Sequence, residues 1–290
     1  MNTSTRVRIN ESPGTLNQYR RALFSKDIKT KIPKLPTTRI TLSNMTADPK
    51  KVEKYSEICG FEQGNKQLPM TFPHLLAFPL HLELMLLRDF PFAVMGMVHV
   101  RNEISQHRAI KIFETMDITC YFSDIRTTEK GYDIDIKTDI HIAGEVVWES
   151  ISTNLVRKKT NIAPAAKKNE TNTLPDYPNK EFWKLSTDLG RRYALISGDS
   201  NPIHLFSMSA KLFGFKGHIA HGMWSKARMV AALYNKLDSE ACKVVVDFKL
   251  PIFLPTSIQL NHELNDKTIE FDLRDQSGIK PHLKGTIEVL

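Results

Sequence analysis

The stretch that decides the fold of this chain is residues 193–223, which read YALISGDSNPIHLFSMSAKLFGFKGHIAHGM. Gly, Asp, Ser, Asn and Pro follow one another at 198–202, and such a run predicts a tight turn. Asp199 and His204 therefore project from an irregular segment, where functional side chains are common. Each also has a structural interpretation, because Asp199 could cap a helix and His204 could be a buried core histidine.

Two motifs in this stretch, SGDSNPIH at 197–204 and IAHGM at 219–223, resemble the signature of the MaoC-like, R-specific enoyl-CoA hydratase (hydratase 2) family. The segment FKLPIFLP at 248–255 is similar to a strand of that family, so the resemblance covers residues 180–290. It implies an α+β double hotdog fold, in which two units each wrap an antiparallel sheet around a central helix.

The resemblance also implies a thioester substrate and an Asp/His pair that holds a water molecule. Asp199 and His204 are therefore the candidate catalytic residues. Water that adds to C3 of a 2-enoyl thioester must lose a proton while C2 gains one, and positioned acid–base groups accelerate such transfers by about 10²–10⁴-fold. Asp199 is favoured as the base and His204 as the group that orients the water, but the sequence leaves this division open.

Negative charge on the thioester oxygen requires hydrogen-bond donors. His221, Gly222 and Met223 open a predicted helix that runs to about Leu237. The first N–H groups of a helix have no partner inside it, and its dipole favours an anion there. Gly222 and Met223 are therefore expected to bind the substrate oxygen, with Asn201 orienting the acyl group or the turn. Gly222 could instead serve only close packing of helix and sheet.

A metal site is the minority interpretation of the same residues. His218 and His221 could join Asp199 and His204 around an ion, but their spacing matches no zinc motif. Ser197 and Ser225 lack the GxSxG context of a serine nucleophile. We therefore expect no metal and no organic cofactor.

Composition divides the chain into four parts. Residues 1–35 are expected to form an irregular N-terminal arm, and the Pro-, Asn- and Lys-rich residues 157–178 a linker. A first hotdog unit is expected at 36–156 and the catalytic, MaoC-like unit at 179–290. Alternating patterns predict strands at about 95–104, 115–124, 131–142 and 145–156, and then at 243–249, 257–263, 268–274 and 283–289.

The two units repeat one order of elements, a short helix, an apolar helix and a series of strands. Tyr55-x4-Gly60-Phe61 in the first unit parallels Tyr193-x4-Gly198-Asp199 in the second. Phe61 therefore stands where the second unit has Asp199. The first unit is expected to be degenerate, to shape the acyl tunnel, and to join its sheet to that of the second unit.

The net charge of +8 and the pI of about 9.3 are compatible with an anionic ligand such as coenzyme A. No nucleic-acid-binding motif accompanies the basic residues, and no apolar stretch reads as a membrane span. Three separated cysteines favour a cytoplasmic setting. Lys211, Lys216 and Lys249 are candidates for the phosphates of a coenzyme A or acyl carrier protein thioester, and a homodimer remains an open arrangement.

The sequence thus predicts a hydro-lyase of fatty acid metabolism. It would hydrate trans-2-enoyl thioesters or dehydrate (R)-3-hydroxyacyl thioesters, with the stereochemistry implied by the resemblance alone. Two alternatives remain at this point, a hotdog acyl thioesterase and a non-catalytic acyl-thioester binding protein. The chain length of the acyl group and the physiological direction are not fixed by the sequence.

Overall fold

The computed structural model describes residues 5–30, 32–163 and 174–290, whose strands form a single 11-stranded sheet. The strands are β1 (Arg6–Ile9), β2 (Arg39–Met45), β3 (Val98–Gln106), β4 (Met116–Thr128), β5 (Gly131–Ile142), β6 (Glu145–Arg157), β7 (Asn179–Leu185), β8 (Cys242–Phe248), β9 (Thr256–Asn265), β10 (Thr268–Asp275) and β11 (Pro281–Val289). The helices are α1 (Thr15–Leu23), α2 (Pro49–Cys59), α3 (Pro73–Met85), α4 (Leu189–Ser197), α5 (Pro202–Leu205), α6 (Ser207–Leu212) and α7 (Gly222–Leu233).

The order of the strands shows an internal pseudo-symmetry. Across the sheet they run β1-β2-β4-β5-β6-β3-β8-β11-β10-β9-β7. Apart from β1, the first five strands repeat the last five in mirrored order, with β3 and β8 meeting at the centre. These two strands pair antiparallel from Arg101 opposite Asp247 to Gln106 opposite Cys242. The double hotdog fold and the continuous sheet expected from the sequence are both confirmed.

Each half of the sheet packs on one apolar helix. Helix α3 reads PHLLAFPLHLELM and has no polar side, so it must be buried nearly all round. Helix α7 is likewise buried along most of its length, as expected for the second unit. The buried apolar side chains of both halves form one continuous hydrophobic core. The two units therefore pack as a single body.

The repeat expected from the Tyr-x4-Gly motif is present in three dimensions. Helices α2 and α4 end at Gly60 and Gly198, each with a φ of 77°. This left-handed conformation strongly favours glycine, which explains the residue at both positions. The rings of Tyr55 and Tyr193 lie 6.3 Å apart, centroid to centroid, in the shared core.

The expectation of an irregular arm over residues 1–35 is wrong for much of this segment. Strand β1 pairs in parallel with β2, and helix α1 packs against α3. The sequence of α1, TLNQYRRAL, is amphipathic, but it has few apolar residues and was not predicted as a helix. Gln18 nevertheless is almost fully buried, and its Nε2 donates to the carbonyl of Pro79 over 2.8 Å. Tertiary contacts with α3 therefore stabilise this helix.

The eight strands predicted from alternation correspond to β3–β6 and β8–β11, whereas β1, β2 and β7 were not anticipated. β1 and β7 lie at the two edges of the sheet, and β2 lies beside β1. Polar residues such as those of NKEFWKL in β7 are common on edge strands, which weakens the alternating pattern. Between β6 and β7 lies the predicted linker, of which residues 164–173 are outside the described part. Among the described residues, no helix is both long and apolar enough to cross a membrane.

Candidate active site

The turn between α4 and α5 presents the two predicted catalytic residues. Gly198 ends α4 in the left-handed conformation, and the backbone N–H of Asp199 donates to Oγ of Ser197 over 3.1 Å. Helix α5 then begins with Pro202, and the side chain of Asn201 caps it by accepting from the N–H of Ile203 over 3.4 Å. The cap is therefore Asn201, which leaves the carboxylate of Asp199 for other partners.

Asp199 is held by donors on one side of its carboxylate. Its Oδ1 accepts a short hydrogen bond from the hydroxyl of Tyr19 and another, of 3.2 Å, from the backbone N–H of Asn201. Its Oδ2 lies 3.9 Å from Nε2 of His221. Burial raises the pKa of Asp199, but His221, His204 and these two hydrogen bonds outweigh it and hold the pKa below its usual value. Asp199 is therefore a carboxylate at neutral pH.

His204 is a neutral imidazole with a defined tautomer. Its Nδ1–H donates to the carbonyl of Ile219 over 2.8 Å, so Nε2 carries the lone pair. The side chain is buried, and burial lowers its pKa. The backbone of His204 packs directly on α4, where a Cβ added at Gly190 would lie only 2.1 Å from the His204 carbonyl oxygen. This close approach requires glycine at 190.

His221 completes the cluster and was not among the catalytic or substrate-binding residues predicted from the sequence. Its ring stacks on that of His204 with a centroid distance of 3.7 Å. Its Nε2–H donates to the backbone carbonyl of Asp199 over 3.0 Å, and burial lowers its pKa to about 3. His221 therefore connects the start of α7 to the turn that carries Asp199. The sequence had grouped it with Asp199 and His204 only as a possible metal ligand.

A metal ion is not favoured by this arrangement. Ligand atoms of Asp199, His204 and His221 lie within 4.8 Å of one another. The two rings are stacked with only 24° between their planes, so their in-plane lone pairs cannot readily converge on one ion at about 2 Å. His218 points elsewhere, with Nδ1 2.8 Å from Oγ of Ser207 and Nε2 2.7 Å from the carbonyl of Thr187. The cluster suits a shared water molecule better.

The N-terminus of α7 faces the same space. Its N-cap, His221, makes no side-chain capping hydrogen bond, so the first N–H groups of the helix remain available to a ligand. Gly222 and Met223 both line the cavity described below. A Cβ at Gly222 would lie 3.1 Å from the ring of Phe248, so glycine also permits close packing here. Both sequence interpretations of Gly222 are thus compatible with the structure.

Tyr19 is the second functional candidate that sequence reasoning missed. It belongs to α1, 180 residues before its partner Asp199. Thr15 of the same helix packs on the catalytic turn, because a Cβ at Gly198 would lie 3.1 Å from the Thr15 Oγ. Burial and the neighbouring Asp199 raise the pKa of Tyr19, so its hydroxyl stays protonated and donates. No local pattern in the N-terminal segment could have indicated this contact.

These groups line one part of a cavity of about 1310 Å³ that runs between the two halves. The second half contributes Asp199, Asn201, His204, His221 and Gly222, among others. The first half contributes residues of α3, β3 and β6, which agrees with its predicted role in shaping the tunnel. Of the three candidate phosphate-binding lysines, Lys249 lines the cavity, whereas Lys211 and Lys216 do not.

Comparison with known proteins identifies the family. Residues 169–284 match the model of the MaoC like domain. The chain is 31% identical over 279 residues to 3-hydroxyacyl-thioester dehydratase X of Mycobacterium tuberculosis, which covers 96% of this chain and 98% of the relative. The crystal structure of HtdX from Mycobacterium tuberculosis superimposes with a TM-score of 0.76 at 30% identity, covering 87% of this chain and all of that one.

A more distant structure shares the fold. The MaoC-like dehydratase from Phytophthora capsici superimposes with a TM-score of 0.72 over 89% of this chain and 96% of that one, although the identity is only 17%. The agreement therefore extends over both hotdog units and not over the signature alone. The chain belongs to the family of MaoC-like dehydratases and is a hydro-lyase with a double hotdog fold.

Proposed function

We propose that this enzyme adds water to trans-2-enoyl thioesters and, in reverse, dehydrates (R)-3-hydroxyacyl thioesters. The observation that carries the proposal is the meeting of an ionised Asp199 and a neutral His204 beside the uncapped N-terminus of α7, all in one cavity. A relative that spans the whole chain is named a 3-hydroxyacyl-thioester dehydratase, which supports the substrate class. The (R) configuration follows from the family resemblance.

The proposed chemistry uses one water molecule held by two acceptors. Oδ2 of Asp199 and Nε2 of His204 can each accept one of its hydrogens, which leaves an oxygen lone pair free to attack C3 of the enoyl group. As the C3–O bond forms, one proton passes from the water to Asp199. C2 then takes up this proton from Asp199, so the reaction needs no external acid or base. Dehydration follows the same steps in reverse.

The negative charge that develops on the thioester oxygen is assigned to the start of α7. The N–H groups of Gly222 and Met223 are the proposed donors, and removal of such a donor elsewhere costs roughly 3–4 kcal/mol of transition-state stabilisation. Asn201 is proposed to act mainly through the turn, because its side chain caps α5 and its N–H binds Asp199. No residue role here requires a metal or an organic cofactor.

The carrier is proposed to be coenzyme A or an acyl carrier protein, with Lys249 at the cavity as the remaining candidate for a phosphate contact. The cytoplasm is the proposed compartment, since Cys59, Cys120 and Cys242 are free and buried. No nucleic-acid partner is proposed. Pairing of β3 with β8 already joins two hotdog units within one chain, and a homodimer of the fused chain is compatible with this arrangement.

Incubation with crotonyl-CoA separates the three functions that the sequence allows. We expect loss of the absorbance of the conjugated double bond and formation of 3-hydroxybutyryl-CoA without release of free thiol. Free thiol at the same rate would indicate a thioesterase. Tight binding of the thioester with neither product would indicate a binding protein. Either of these last two results would contradict the proposed function.

Replacement of Tyr19 by Phe tests the contact that holds Asp199. The Tyr19 hydrogen bond lowers the pKa of Asp199, so its loss should raise that pKa. Because the reaction needs the carboxylate, the acid limb of the kcat/KM profile should move to higher pH, with the largest loss of activity at low pH. A pH series of initial hydration rates measures this shift.

Tyr121→Phe is the matched control for that experiment. Its hydroxyl also donates to a carboxylate, Asp139, over 3.2 Å, but the pair lies on the first half of the sheet and does not line the cavity. The acid limb should therefore remain unchanged in this variant. An unchanged acid limb in Tyr19→Phe as well would show that the Tyr19 contact does not set the ionisation of Asp199.

A further inference from the structure

Three histidines line the cavity away from the catalytic cluster. His74 and His81 belong to α3 and His99 to β3, and we call them the histidine row. Around them the first half supplies apolar side chains, among them Phe78 and Leu82. Apolar side chains alone would be sufficient to bind an alkyl chain, and imidazole groups would add nothing to that binding. The row therefore requires a chemical explanation beyond the hydration step.

The row begins next to the proposed oxyanion site and leads into the first half. The ring of Phe248, which packs on Gly222, lies 5.1 Å from that of His99, centroid to centroid. His99 stacks on His74 at 6.1 Å, and His74 meets His81 edge to face at 5.4 Å. The row ends where Nε2 of His81 lies 2.7 Å from Oγ1 of Thr138. An acyl chain that extends from the thioester into the first half would pass beside it.

Two nitrogens of the row lack partners. Nδ1 of His74 and Nε2 of His99 are buried, and neither finds a hydrogen-bond partner among the described residues. His74 as a whole is only 5% exposed. A buried polar atom without a partner is costly, and native proteins contain few of them. Both side chains line the cavity, and a turn of either ring is needed to bring its shielded nitrogen to a ligand there.

The row is uncharged. Burial lowers the pKa of His81 to about 3 and that of His99 to about 4, and it lowers the pKa of His74 as well. Nζ of the nearby Lys226 is fully buried, and its hydrogen-bond partners are already two backbone carbonyls and Oδ1 of Asn102. Neutral imidazoles offer a donor and an acceptor but no positive charge. They match a hydroxyl or carbonyl group better than a carboxylate.

We propose that the histidine row binds an uncharged oxygen function, a hydroxyl or a carbonyl, carried by the acyl chain of the substrate beyond the reacting C2–C3 bond. The inference rests on the proposed function, because it assumes an acyl thioester in this cavity. The apolar residues of α3 receive the methylene groups, and His74 and His99 hold the oxygen. The preferred substrates are then oxygenated acyl thioesters.

Binding of saturated thioesters tests this without requiring turnover. Decanoyl-CoA is compared by calorimetry with decanoyl-CoA that carries one hydroxyl at a single carbon from C6 to C10. For at least one hydroxyl position, His74→Leu and His99→Leu should each lower the affinity for hydroxylated decanoyl-CoA, relative to that for decanoyl-CoA, by about fivefold. This factor corresponds to the loss of one neutral hydrogen bond. The plain ligand should bind as well as before or better.

His262→Leu is the matched control. His262 is also buried with an unpartnered Nδ1, but it belongs to β9 and does not line the cavity. The ratio of the two affinities should not change in this variant. Plain decanoyl-CoA binding and thermal unfolding report whether each variant is folded, and either leucine variant alone suffices for the test.

An affinity ratio that is the same in the wild type and in both leucine variants, at every hydroxyl position, would overturn the proposal. An equal loss of affinity for both ligands would also overturn it, since the histidine row would then contact the coenzyme A part and not the acyl chain. Hydration of trans-2-decenoyl-CoA by the wild type is measured separately. Its absence would contradict the proposed function, while the affinity ratio would still decide the role of the row.

Discussion

Asp199→Asn and His204→Ala are each expected to lower kcat for enoyl-CoA hydration by about 10²–10⁴-fold while leaving the fold intact. Asparagine keeps the size of Asp199 and can still accept from Tyr19 and Asn201, but it cannot take the proton of the water. Alanine at 204 removes the second acceptor for that water. Asp199→Asn preserves the packing, and removal of the His204 ring enlarges a cavity that is already present. Stopped-flow absorbance of the enoyl group gives the rates.

The double variant sharpens this prediction. In the proposed mechanism both residues act on one water molecule, so the double variant should be little slower than the slower single one, a non-additivity typical of groups that work as a unit. Phe61→Ala, at the corresponding place in the first half, is the control; Phe61 packs on the core and does not line the cavity, so this change should lower stability but not alter the chemical step. Near-normal turnover by a folded Asp199→Asn or His204→Ala protein would refute the assignment.

Gly190→Ala should disrupt the site, because Gly190 of α4 packs directly on the backbone of His204. A methyl group at 190 would lie 2.1 Å from the carbonyl oxygen of His204, a distance at which backbone must move. Displacement of α5 would shift Nε2 of His204 away from Asp199, so we expect at least a tenfold loss of kcat, since misplacement by about 1 Å can cost 10²-fold. Overpacking should also lower the free energy of unfolding by about 1–3 kcal/mol.

Gly217→Ala provides the comparison for that substitution. Gly217 lies close to the same turn region in sequence, but its added Cβ would meet only Oγ of Ser207 at 3.5 Å, an ordinary van der Waals contact. Its stability and kcat should stay near those of the wild type. If Gly190→Ala behaves in the same way, the backbone of His204 has more freedom than its packing on α4 indicates.

Local patterns in the sequence were sufficient to predict most of the sheet and to select Asp199 and His204 as the candidate catalytic pair. Strands β3–β6 and β8–β11 alternate clearly, and the turn residues 198–202 interrupt a helical pattern at the site. The resemblance supplied the fold that joins these pieces. Asp199 and His204 belong to one short segment, so their proximity in space follows from their proximity in the chain.

The remaining parts of the site depend on contacts between distant segments. Tyr19 reaches Asp199 only because α1 packs against α3, and the amphipathic pattern of α1 does not indicate which element it packs against. The stacking of His221 on His204 brings together the start of α7 and the end of α5. The histidine row likewise combines α3 with β3. Such contacts are set by the tertiary fold and leave no signal within a short window of sequence.

The pairing of β3 with β8 affects how the enzyme behaves at low protein concentration. In an assembly of separate hotdog subunits, the wall of the acyl cavity would be supplied by a second molecule and would be lost as the protein is diluted below its dissociation constant. Here the same polypeptide provides both walls, and the partner half is present at the high effective concentration of an intramolecular contact. A complete cavity therefore requires only one molecule, however few copies a cell contains.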